Sequence, residues 1–453
     1  LTDKYSNYNQ TMKRFFLIIS LLTLSCAAIN AQEYDSPEYI SLGREKARTK
    51  VVPYPTAEEA QNLGAGMVAS KFVRPVKEWT RTEEEDAVVF TSKYVIPFVW
   101  LSRMAILYVD EASGAYEVLI NGKKVGYSAN AFAPAEFNVT KASKEDVNTI
   151  SIRVLKEHFS RKMECFNEKT EAHIGEVFVM SQPMIRVRDV VHKTFVDMKS
   201  EYANVELGMI VKTESLNPKK ARIHYELVAP DTTVVTYGHR DVTLGMRSED
   251  TVKFTAQIPY ALTWCAEMPV RYRLNIRTQV EGRNVEYQSH MIGFRTVEAN
   301  DEGDFFINGI KTELFYRDFD PLKVTDKDII AARVLKYNAL RFKMGAVPQN
   351  VYRMCDSLGM YVIAQIPINT KSSGLSRQIG GNPSNDPKWK AAYLDRVETS
   401  YRTTRGQACV IGYIMAEESS NGINLYESYL RLKEMEEKRP VIYIDAAGEW
   451  NSD

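Results

Sequence analysis

Histidine is scarce in this chain and unevenly placed. Of 453 residues only His158, His173, His192, His224, His239 and His290 carry an imidazole, and none lies in the last third. Any chemistry beyond His290 therefore runs without imidazole, which excludes Ser-His catalysis and histidine-held metals there. Cysteine is also sparse, at five residues. Cys165, Cys265, Cys355 and Cys409 stand 100, 90 and 54 residues apart, spacings that match no zinc or redox motif. They are expected as free, mostly buried thiols. No charge of one sign dominates, since 58 Lys and Arg balance 58 Asp and Glu. Nothing in that balance favours nucleic acid or an anionic membrane, and a neutral partner fits at least as well. Phosphate loops and internal repeats are absent too.

The longest apolar run is short. Phe15 to Leu24 follows the basic Met12-Lys13-Arg14 and precedes the small residues Ala27, Ala28 and Ala31. Ten residues cannot span a bilayer as a helix, which needs about 20, so residues 1–32 read as upstream leader and signal peptide, cleaved after Ala31. Lipidation at Cys26 is the alternative, disfavoured by Thr23 where a large aliphatic belongs. The expected location is periplasmic or secreted. Eleven residues precede Met12 and the chain opens on Leu1, so the reading frame is expected to be an incomplete stretch.

What the sequence does contain is β-texture, then alternation of β and α. Residues 33–183 carry short strands, with Ala115 to Ile120 turning through Asn121-Gly122 into Lys123 to Tyr127, a hairpin signal. This predicts a jelly-roll β-sandwich. Residues 184–297 form a second β region, sized as an immunoglobulin-like sandwich but lacking paired cysteines. From 298 to 453 strands alternate with helices: Ala339 to Phe342, Met360 to Ile363, Val410 to Met415 and Val441 to Ile444 as strands, Asn350 to Leu358, Pro387 to Thr403 and Leu425 to Glu437 as helices. That pattern predicts part of a (β/α)8 TIM barrel, about five strands of it.

Three segments resemble glycoside hydrolase family 2, the β-galactosidase family. Val118 to Gly126 resembles the hairpin of its sugar-binding jelly roll. Ile292-Gly293-Phe294-Arg295-Thr296-Val297-Glu298, followed by Ile307-Asn308-Gly309, resembles its junction into the barrel. Val410 to Tyr426, with Ala416-Glu417-Glu418-Ser419-Ser420-Asn421-Gly422, resembles the strand whose end bears the acid/base glutamate.

The resemblance implies hydrolysis of β-linked glycosides with retention, by two carboxyl groups about 5 Å apart. Aligned on Ser419 and Asn421-Gly422, Glu418 takes the acid/base position, which calls for a raised pKa. Glu417 stands where the family has an asparagine that binds the sugar 2-hydroxyl, and Arg341 matches the family's second-strand arginine. The nucleophile is expected on a later strand, outside this chain, so the 453 residues by themselves are expected to be inactive. Residues 33–297 are expected to stay soluble alone, because both sandwiches are complete.

Several family residues are missing. Phe315 to Pro321 replaces the histidine-bearing loop after the first barrel strand, Ala364-Gln365-Ile366-Pro367 an acidic strand end, and Gly406-Gln407-Ala408 an asparagine-histidine-proline. No cofactor and no metal site carries over. The partner implied is a carbohydrate, as oligosaccharide or glycan. The alternative reading is a non-catalytic glycan-binding or scaffold protein with a degenerate barrel.

Overall fold

A computed structural model describes residues 36–62, 70–164, 171–197, 202–342, 347–436 and 438–453. The expected leader, Cys26 and Cys165 lie outside the described residues. The first part is a sandwich of a six-stranded and a four-stranded antiparallel sheet. The inward sets of the two sheets, such as Val118 and Ile152 against Leu107 and Val179, make one apolar cluster. Asn121 and Gly122 both adopt left-handed backbone, at φ 51° and 77°. They close the hairpin of Tyr116–Ile120 and Lys123–Ser128 as the Asn-Gly turn requires.

The second sandwich stacks a three-stranded sheet on a four-stranded one, again antiparallel. Alternation is regular. In Lys219–Val228 the residues Ala221, Ile223, Tyr225 and Leu227 are buried, while Arg222, His224 and Glu226 face outward. The buried set meets Val205, Leu207 and Met209 of the opposite sheet. This is the immunoglobulin-like build in architecture, without its disulfide.

After a small three-stranded antiparallel sheet at residues 297–312, the topology becomes parallel. Strands β1 (Tyr316–Phe319), β2 (Ala339–Phe342), β3 (Tyr361–Gln365), β4 (Val410–Ile414) and β5 (Val441–Ile442) pair in that order. Helices α1 (Asp326–Val334), α2 (Gln349–Leu358), α3 (Lys390–Thr404) and α4 (Ile423–Met435) connect them. This is TIM-barrel construction with five strands among the described residues. The Thr325–Asp328 capping box starts α1, each side chain bonding the other's backbone N–H.

One reading is corrected here. Phe315 to Pro321 was expected to be the loop after the first barrel strand, yet Tyr316–Phe319 is that strand. Its outward-and-inward alternation of Tyr, Arg, Asp and Phe hides the apolar run typical of parallel strands. Smaller shifts occur at the ends: β4 stops at Ile414, and α3 begins at Lys390 after a short 3-10 turn at Pro387–Trp389.

The three parts share a core. The barrel's apolar cluster takes in Trp264 and Ala266 of the second sandwich and Tyr127, Ala129, Phe159 and Met163 of the first. Trp264 is fully buried, and its Nε1–H donates to the Asp356 carbonyl at 2.9 Å. Arg405 reaches Asp189 of the second sandwich at 2.6 Å, both side chains largely shielded. Cys355 and Cys409 are buried free thiols and Cys265 is half-buried and free. No helix among the described residues is long and apolar enough to cross a membrane.

Candidate active site

The C-terminal ends of β3, β4 and β5 converge on residues 417–421. Barrel enzymes build their sites at this end, because the loops there vary while the strands hold them rigid. The loop after β3 and the end of β4 run alongside each other. Glu417 donates its backbone N–H to the Ile368 carbonyl at 2.9 Å, and Asn369 bridges Glu417 in parallel. The first sandwich braces this loop, since the Met163 carbonyl accepts from the Asn369 N–H at 3.1 Å.

The turn after the glutamates is heavily bonded. Ser419 Oγ donates to the Glu417 carbonyl at 3.0 Å and accepts from the Thr370 N–H at 3.0 Å. Its N–H donates to Asp445 at 3.2 Å, and Tyr443 Oη donates to its carbonyl at 2.5 Å. Asn421 and Asn451 exchange amide hydrogen bonds at 3.1 and 2.9 Å. At Gly422 any Cβ would collide with the Asn385 amide. Between these anchors Glu418 adopts left-handed backbone at φ 43°, a strained conformation for a non-glycine residue of the kind that concentrates at functional sites.

The two glutamates meet opposite surroundings. Glu417 is half-buried and accepts from Gln365 Nε2 at 2.5 Å. Burial, then the neighbouring Glu418 and Asp445 charges, push its carboxyl above the usual range against the Gln365 bond. Glu418 is exposed, ion-paired with Lys371 and bonded by Asn369 Nδ2 at 3.3 Å. Those two partners, Lys371 first, hold its carboxyl below the usual range. The raised pKa expected of the acid thus falls on Glu417, and Glu418 carries the reverse shift.

Arg341 sits elsewhere on the sheet. It grips Asp318 of β1 with two bonds, Nε to Oδ1 at 2.7 Å and Nη2 to Oδ2 at 3.0 Å. Asp318 and Arg341 are partners in the β1–β2 register, and both are exposed. Sequence reasoning placed Glu417 and Glu418 together, and the structure adds Gln365, Asn369, Lys371 and Asp445 around them. Of these, the sequence marks only Gln365, where Ala364-Gln365-Ile366-Pro367 replaces the family's acidic strand end. The others carry no signal in the sequence, because Asn369 and Lys371 lie 49 and 47 positions from Glu418 and Asp445 is on the far side of α4, so only the fold joins them. Among the described residues, no group of three or more His, Cys, Asp or Glu is arranged to hold a metal ion.

Two antiparallel sandwiches leading into parallel β/α units, with carboxylates at the strand ends, are the build of a multidomain barrel enzyme. Residues 185–295 match the family model "Glycosyl hydrolases family 2" and residues 313–452 match "Glycosyl hydrolases family 2, TIM barrel domain". The chain belongs to glycoside hydrolase family 2. It is 27% identical to the beta-galactosidase of Priestia megaterium over 433 residues, covering 91% of this chain and 39% of that protein. A putative beta-galactosidase from Bacteroides fragilis superposes with TM-score 0.69 at 15% identity, over 91% of this chain and 66% of that one. Beta-glucuronidase 2 of Bacteroides uniformis gives TM-score 0.68 at 17% identity, over 80% and 46%. The chain thus spans about two fifths of the length of the curated relatives it matches.

Proposed function

We propose that the protein is an exported glycosidase that hydrolyses β-linked glycosides with retention, with Glu418 as its acid/base. The observation that carries this reading is a glutamate on strained backbone at the end of β4, anchored before it by the Glu417 N–H on the Ile368 carbonyl and after it by the bonds of Ser419 and Asn421. Glu418 protonates the leaving oxygen, and its carboxylate then activates the water that releases the sugar. The nucleophile is a second carboxylate about 5 Å away, expected on a barrel strand later than β5, and the kinetic tests use a protein that carries that strand. Glu417, beside Gln365, binds the sugar hydroxyl next to the anomeric centre. The relatives' names make β-galactosides and β-glucuronides the substrates to try first. A second reading, in which Glu417 is the proton donor, is favoured by its raised pKa.

Leaving-group dependence separates the two. Glu418→Gln should slow cleavage of a disaccharide about 10²–10⁴-fold, yet leave glycosides of acidic phenols much less affected. Azide should then partly restore turnover of the activated glycoside. If Glu417→Gln shows this signature and Glu418→Gln does not, the roles are exchanged. If both variants match the wild type in an active enzyme, β4 does not carry the acid. Export is tested by intact mass. The mature chain should begin at Gln32, and a lipidated Cys26 as first residue would place the protein on a membrane instead.

A further inference from the structure

We infer that the outward face of the four-stranded sheet in the second sandwich, around His224, Tyr237 and Arg277, is a binding site for a short neutral oligosaccharide, separate from the barrel. The strand registers lay two rows of side chains across this face. One runs Tyr237, Glu226, Asn275, Ser289, and the other His239, His224, Arg277, Tyr287. Three inter-strand gaps of about 4.8 Å make each row about 14 Å long, enough for a short oligosaccharide lying across the strands. The short helix Ala57–Gln61 walls one side. The space enclosed is about 430 Å³, within the range of small-ligand sites.

The chemistry of the face is that of sugar recognition. Tyr237 is 79% exposed, a ring held in water with no core to fill. An aromatic face of this kind suits the C–H face of a pyranose. Between the rings lie planar hydrogen-bonding groups, already fixed before a ligand arrives. Ser289 Oγ donates to Asn275 Oδ1 at 3.0 Å, and Asn275 Nδ2 donates to Glu226 Oε2 at 3.0 Å, leaving Glu226 Oε1 as an acceptor. His224 is half-buried, and its Nε2 is shielded from solvent with no hydrogen bond made, a costly state for a polar atom. Burial, then Arg277 and His239, lower its pKa against an opposing Gln279 hydrogen bond, which favours a neutral ring able to accept a hydroxyl proton. Glu226 and Arg277 offset each other. The face therefore offers no net charge to an ionic ligand, and Glu226 Oε1 and His224 Nε2 remain as acceptors.

The six histidines make the face observable by NMR in the intact protein labelled at histidine. Neutral β-linked tetrasaccharides (galactotetraose and cellotetraose) should shift the His224 and His239 ring signals and spare His173. Tyr237→Ala, a change at an exposed side chain, should raise the half-saturation concentration about tenfold, and Arg277→Gln should do likewise. Glu418→Gln should leave these shifts in place, which separates this face from the barrel site. Shifts equal in wild type and Tyr237→Ala would overturn the inference. So would unmoved His224 and His239 signals at about 10 mM sugar, well above an affinity of about 1 mM, or a response to Zn²⁺ alone.

Discussion

Lys371 holds Glu418 ionised, and this sets a pH signature. A proton donor with a depressed pKa gives up its proton as pH rises through that low value. Cleavage of substrates with poor leaving groups should therefore be fastest on the acid side and fall as pH climbs. Lys371→Met removes the first-named cause of the depression, so the falling limb of kcat/KM against pH should move upward. A profile unchanged by Lys371→Met would mean that another group supplies the proton. At this scale the sequence showed which residue types stood at the end of β4. It did not show that Glu417 and Glu418 would be divided by Gln365 on one side and Lys371 on the other.

Elements were read from period and punctuation, and they were legible where those signals were strong. Leu358-Gly359 ends α2 as a glycine stop should, with Gly359 left-handed at φ 80°. The fold gives that glycine a second duty. A Cβ there would run into the Ala266 carbonyl, on the loop that carries Trp264 into the barrel core. Gly359→Ala should therefore cost about 1–3 kcal/mol, read as a drop in the urea midpoint with unchanged m-value. A loss of a few tenths would mean the loop moves aside freely. The miss at β1 has the opposite origin. Arg317 and Asp318 interrupt its apolar pattern, and Asp318 is there to meet Arg341 across the strand pair. That requirement exists only once β2 lies beside β1.

At the scale of the molecule, the apolar surfaces of the sandwiches are not closed without the barrel. Trp264, Tyr127, Phe159 and Met163 pack into the barrel's cluster. The expectation that residues 33–297 behave well alone rested on complete sheets, and it overlooked this shared core. Expressed by itself, that fragment should expose Trp264, shift tryptophan emission to the red and bind a hydrophobic dye. Contiguous apolar surface freed in this way promotes association. Emission and dye binding equal to those of the 453-residue chain would show that the sandwiches close on their own. Asp189 belongs to the same interface, and separation would remove the Arg405 guanidinium bonded to it, leaving Arg188 and Arg48 nearby, a costly change for a buried carboxyl.

By itself the sequence determined the order of the parts, two antiparallel sandwiches and then parallel β/α units. It also determined the hairpin at Asn121-Gly122 and the strand end bearing two glutamates. These follow from local rules: a period of two or 3.6 residues, left-handed turn residues, and the strand-to-loop position of the acids. Only the tertiary structure decided which glutamate is half-buried and which is paired, that Arg341 is held by Asp318, and that Trp264 joins the second sandwich to the barrel. Those outcomes depend on residues tens to hundreds of positions apart, and burial, ion pairing and desolvation act through space.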